Sequence, residues 1–76
     1  MFFKPDMVDE MNVLIRYNSD AGQGGIKVHS NAEPAVISAT QRLYEKGLIT
    51  LRDGGYLTPL GREAVEHARV ALNILS

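Results

Sequence analysis

The sequence predicts an α+β domain: three helices with a small three-stranded antiparallel sheet, in one unit over residues 1–76. Three observations predict it. The stretch Leu43–Gly61 reads as a helix end, a hairpin and a helix start. Apolar residues recur at helical spacing before it, leading into it and after it. A short apolar alternation, Ile26-Lys27-Val28, stands ready to pair with the hairpin edge. A hairpin on helices needs about three strands to be stable.

Taken in order, residues 5–17 read as the first helix. Met7, Val8, Met11, Leu14 and Ile15 form one stripe, the spacing of a buried face. Asp6 and Asp9 sit near the positive end of its dipole, and Phe2 or Phe3 is expected to pack back on its first turns. Asn18–Gly25 is a loop, with three Gly and polar turn formers. A phosphate loop would need a preceding strand and a Gly-Lys-Ser/Thr ending on a helix; here a helix precedes and Ile26 follows. Ser30-Asn31-Ala32-Glu33 has capping-box spacing, and the next helix runs from Pro34 to Lys46. Val36, Ile37, Ala39, Thr40, Leu43 and Tyr44 should be buried. Ala35, Ser38, Gln41, Arg42 and Glu45 should be exposed.

Gly47 stands where a helix stops on a left-handed residue. Leu48, Ile49 and Leu51 have strand character, Asp53-Gly54 is a favoured hairpin-turn step, and Tyr56 and Leu57 begin the return strand. Thr58 can cap the last helix, with Pro59 at its first position. That helix, to about Leu75, carries Leu60, Ala64, Val65, Ala68, Ala71, Leu72 and Leu75 on one face. Gly61 within it implies a close approach by another element, since Gly otherwise costs about 1 kcal/mol there. Val70 and Ile74 fall outside that face, one turn apart, and are the candidates for self-association into a dimer.

Size and composition bound the function. A chain of 76 residues buries only about 60% of its unfolded surface. With no Cys there is neither a disulfide nor a thiolate zinc site. The opening Met-Phe-Phe-Lys-Pro-Asp is not a signal peptide, and no apolar run approaches the roughly 20 residues of a membrane span. The expectation is a soluble cytoplasmic protein with no membrane partner and no cofactor. Eight Lys and Arg face nine Asp and Glu, a formal charge of −1. A dedicated nucleic-acid binder advertises a basic face, so a DNA-binding reading requires locally grouped cations or a dimer that pools two weak surfaces.

Helix, Gly, hairpin wing and Thr-Pro helix is the pattern of a winged helix. The run Lys46-Gly47-Leu48-Ile49 with Gly55-Tyr56-Leu57-Thr58-Pro59-Leu60-Gly61 resembles the wing of winged-helix transcription regulators. Nearly the full chain resembles a small family of uncharacterised bacterial proteins described as DNA-binding. That likeness is carried by Gly25-Ile26-Lys27-Val28-His29, Gln41-Arg42-Leu43, Gly47-Leu48-Ile49-Thr50, Gly54–Thr58 and Leu60-Gly61-Arg62-Glu63-Ala64. It implies a winged-helix-like fold and duplex-DNA binding through helix 34–46 and the wing, 48–58. One departure stands out. A DNA-reading winged helix has two helices joined by a short turn ahead of its wing. The 18 residues between Val28 and Gly47 hold one average helix of about 11–12 residues, so the first is a single turn or is missing.

On that reading Ser38, Gln41 and Arg42 face the major groove, where Arg pairs with guanine and Gln with adenine. Arg52 in the wing and Lys27 beside it meet phosphates. The opposing reading is a solvated or protein-contacting face, because Glu33, Glu45 and Asp53 repel phosphate. An unbroken positive surface across Lys27, Arg42 and Arg52 favours DNA; a broken one favours a protein–protein interaction or dimerisation module without DNA binding. Enzyme readings are thin, and the chain reads as a non-enzyme. His29 has no Ser or Cys nucleophile beside it. Glu63 and His67, one turn apart, are two possible metal ligands where zinc needs three or four.

Overall fold

The computed structural model describes residues 2–17 and 24–76. Among them the chain forms α1 (Pro5–Ile15), β1 (Ile26–Lys27), α2 (Pro34–Glu45), β2 (Ile49–Leu51), β3 (Gly54–Leu57) and α3 (Pro59–Leu75). This is the expected α+β, winged-helix-like order. The sheet is antiparallel, in the order β1-β3-β2, with Ile26 opposite Gly55 and Ile49 opposite Leu57. The loop expected over 18–25, and the phosphate-loop alternative weighed for it, fall largely outside the described residues.

The centre of the fold is the clasp between α2 and α3. Gly47, at φ +84°, takes the left-handed conformation that ends α2. Its N–H donates to the Tyr44 carbonyl at 3.0 Å and the Leu48 N–H to the Leu43 carbonyl at 2.9 Å, the paired bonds of a Schellman turn. The Thr58 hydroxyl then works both ways. It donates to the Gly47 carbonyl at 2.7 Å and accepts from the Gly61 N–H at 3.1 Å, while the Thr58 N–H donates to the Leu48 carbonyl at 3.0 Å. One side chain thus caps α3 and holds it on the end of α2. Nothing lies within 4 Å of a Cβ built on Gly47, so Gly47→Ala meets only the backbone cost of a left-handed residue. The expected loss is about 1–2 kcal/mol in denaturant unfolding; an unchanged midpoint would contradict the left-handed cap.

Two local readings are corrected. Ser30 does not cap α2. Pro34 occupies the first helical turn and Glu33 before it is extended, at φ −58° and ψ 139°, with no side-chain cap bond; a residue before proline disfavours the helical region. Residues 29–32 instead make one turn, with the Ala32 N–H on the His29 carbonyl at 3.0 Å. This turn stands where a helix-turn-helix would place its first helix. In the hairpin, the connecting residues are Arg52 and Asp53, and β3 begins at Gly54, earlier than expected. Gly54, at φ +132°, is needed for packing: a Cβ there would overlap the Ile26 carbonyl oxygen of β1.

The core comprises Val13, Leu14, Tyr17, Ala39, Leu43, Ile49 and Val65. On α1 the buried face is turned from the expected stripe. Glu10, Val13 and Leu14 are buried, Met7, Met11 and Ile15 are half-buried, and Val8 is exposed. Phe2 and Phe3 stay largely exposed, and Tyr44, expected buried, is 39% exposed. On α3 only Gly61 and Val65 are buried, although the helix has 17 residues. Arg69 ties it to α1, with Nη2 donating to the Ile15 and Tyr17 carbonyls at 3.1 and 2.6 Å. These carbonyls sit at the α1 C-terminus, where a cation is favoured.

Candidate functional site

Two surfaces bear on function. The first is a groove of about 410 Å³ between α2, the turn 29–32 and the wing. Lys27 and His29 enter from β1 and the turn after it, Gln41 from α2, and Arg52 and Asp53 from the hairpin connection; Val28, Ile37 and Thr40 also line it. The Val28 N–H donates to the Asp53 carbonyl at 2.7 Å and ties β1 to the wing tip. Thr40 is buried with its hydroxyl satisfied, donating to the Val36 carbonyl at 2.7 Å. Ammonium, guanidinium and amide groups at this groove can meet phosphate oxygens or base edges.

The structure thus brings Lys27, Gln41 and Arg52 together from three elements. It leaves out the other two expected DNA contacts. Ser38 is exposed on α2 away from the groove lining. Arg42, expected on the exposed face, turns instead to α1. Its Nε donates to Glu10 Oε2 at 2.8 Å and its Nη2 to the Asp6 carbonyl at 3.3 Å, with the Asp6 carboxylate at 3.9 Å. Lys46 donates to the other Glu10 oxygen at 2.5 Å. Burial pushes the Glu10 carboxyl up, but the Lys46 and Arg42 hydrogen bonds outweigh it and hold the carboxyl below its usual range. The same Glu10 bond raises the Arg42 guanidinium above its ordinary value. Arg42 is therefore a structural partner of a buried carboxylate.

Arg52 is also shared. It lies 3.7 Å from Glu45, both about 60% exposed, and over the Tyr44 ring at 5.7 Å from its centroid. That exposed ion pair contributes at most about 1 kcal/mol and does not lock Arg52, but it places a carboxylate beside the groove. Asp53 adds a second. The positive surface is interrupted: Arg42 is turned to α1, Glu45 lies beside Arg52, and Asp53 lines the groove together with Lys27.

The second surface is the far part of α3. Val70 and Ile74, expected as self-association residues, are 58% and 77% exposed, and Leu72 and Leu75 join them at 48% and 85%. Leu72 and Leu75 were expected on the buried face; beyond Arg69 every residue is exposed. Sequence reading also missed Glu10, although it lies three residues after Met7 and four before Leu14, on the stripe itself. A carboxylate in an apolar stripe signals a cation opposite. Among the described residues no three His, Cys, Asp or Glu gather to hold a metal, so Glu63 and His67 gain no third ligand there. No described helix is long and apolar enough to cross a membrane.

The described surfaces of this small α+β domain thus include a groove with interrupted positive charge and an exposed apolar segment of α3. The chain belongs to DUF5669, a family of unknown function, whose match covers residues 1–76. No curated protein and no solved structure matches it.

Proposed function

We propose that this winged-helix-like chain is a protein-interaction module that acts through the uncovered segment of α3. One observation carries the reading. From Val70 to Leu75 every residue is exposed, and four of the six are large and apolar. A helix that is apolar all round is stable in water only when something covers it, and exposed apolar patches mark interaction sites. The broken charge surface supports the same reading, because Arg42 is spent on Glu10 and Glu45 and Asp53 flank the remaining cations.

Duplex-DNA binding is the second reading, favoured by the convergence of Lys27, Gln41 and Arg52 on one groove. With two cations there, a protomer neutralises few phosphates, so this reading needs two protomers acting together. Capture experiments from the native cell, with and without nuclease, separate the two. The α3 reading predicts capture that survives nuclease and is lost in Ile74→Asp. Capture that nuclease abolishes, and that Arg52→Ala weakens, supports the DNA reading and overturns the α3 one.

A further inference from the structure

We propose that the groove between α2, the turn 29–32 and the wing is a binding site for a free nucleoside monophosphate; the proposal is independent of the α3 surface. Size comes first. At about 410 Å³ the groove lies toward the lower end of the range for small-ligand sites, about 300–1,000 Å³. Its rims are fixed to each other. The Val28 N–H donates to the Asp53 carbonyl at 2.7 Å, and Ile26 and Lys27 pair with Gly55 and Gly54 of β3. β1 and the wing tip therefore keep their spacing without a ligand, and a preorganised site loses little to ordering on binding.

The lining selects the ligand. Lys27 and Arg52 are exposed cations on the β1 and wing side, and ammonium and guanidinium groups bind phosphate. Lys27 makes no ion pair among the described residues. Arg52 has Glu45 at 3.7 Å, but both are about 60% exposed; such a pair holds weakly in water and yields to a phosphate. Val28 and Ile37 line the groove half-buried, and the Thr40 hydroxyl beside them is engaged on the Val36 carbonyl. This is an apolar patch that a flat ring can cover. Asp53 argues against a bare polyanion. It lines the same groove, and a carboxylate repels phosphate oxygens but accepts bonds from hydroxyls, which a ribose carries. The Gln41 amide both donates and accepts, as a base edge requires. Phosphate, sugar and base thus each meet a suitable group within a cavity of small-ligand size. A duplex would carry further phosphates past Asp53 and Glu45 with only two cations to neutralise them.

Titration of the isotope-labelled full chain with AMP, GMP, CMP and UMP, followed by amide shifts, tests this; ribose 5-phosphate, adenosine and a short DNA duplex are the comparison probes. At least one monophosphate should give saturating shifts centred on residues 27–29, 41 and 52–53. Ribose 5-phosphate and adenosine should bind more weakly, each lacking one part of the ligand. Lys27→Ala and Arg52→Ala, both at exposed side chains, should each weaken the best monophosphate about tenfold, the loss of one charge-assisted hydrogen bond. Ile74→Asp should leave its binding unchanged. The amide spectrum shows whether each variant folds, and the wild-type shifts decide alone where one does not. The site is overturned if none of the four monophosphates saturates, if the shifts centre elsewhere, or if either folded groove variant binds as wild type does. Ribose 5-phosphate binding as tightly as the best monophosphate overturns the nucleotide as ligand. A duplex that saturates the same residues at a lower nucleotide concentration than any monophosphate overturns it in favour of DNA. None of these outcomes bears on capture through α3.

Discussion

Gly61→Ala is expected to destabilise the fold by about 3 kcal/mol, the upper end of overpacking costs. For a domain of this size that lowers Tm by roughly 12–24 °C. A Cβ at position 61 would overlap the Leu48 carbonyl oxygen, with the Leu48 carbonyl carbon at 3.0 Å and Leu57 Cδ2 at 3.2 Å. The carbonyl cannot retreat freely. It accepts the Thr58 N–H, and the Leu48 N–H is held on the Leu43 carbonyl. Backing away would loosen the end of α2 and the cap of α3 together. Gly47→Ala, on open space in the same clasp, is the comparison that isolates crowding from backbone strain. Thermal unfolding by circular dichroism reads both. A Gly61→Ala midpoint no lower than that of Gly47→Ala would show that α3 does not cross so closely.

Glu10→Gln is expected to cost about 2 kcal/mol near neutral pH, in the range of hydrogen bonds to charged groups. The carboxylate is almost fully buried, but the Arg42 and Lys46 side chains are 28% and 51% exposed. Water can receive part of what they lose, so the cost falls below the about 3–5 kcal/mol of a fully buried broken pair. The effect depends on pH with a definite sign. The folded Glu10 carboxyl lies below its usual value of 4.5 because its ionised form is held by Lys46 and Arg42 despite burial. Its stabilisation is complete above the unfolded value and is lost as pH falls through the lower folded value. Urea unfolding of both proteins should show the gap at pH 7 and its closure in acid below that range. An equal gap at both ends would show that the ionised bridge is not its source.

The turns were legible in the sequence because their chemistry is local. Gly47 suits a left-handed conformation that few residues adopt, Thr58 carries a hydroxyl that can cap a helix and Pro59 fits a first helical position, and each does what its type implies. The pairing of Ile26-Lys27 with the hairpin followed from alternation and from the want of a third strand. What escaped was tertiary. Arg42 and Glu10 are 32 residues apart, and α2 periodicity alone left Arg42 on the solvent side. The buried face of α1 is set by where α2 and α3 lie, and this brings Val13 and Tyr17 inward and leaves Val8 out. Gly54 looked like a turn residue because Asp-Gly is a turn step, whereas its lack of a side chain serves the approach of β1. The apolar spacing on α3 was plain, but the point where the domain stops covering it was not.

That point is the centre of the functional account, and nuclease-resolved capture on the full chain, comparing wild type, Ile74→Asp and Arg52→Ala, tests it most directly. The account predicts partners retained after nuclease by wild type and Arg52→Ala and lost by folded Ile74→Asp. Capture that disappears with nuclease, falls in Arg52→Ala and is untouched in Ile74→Asp would contradict it and move the function to the groove of Lys27, Gln41 and Arg52.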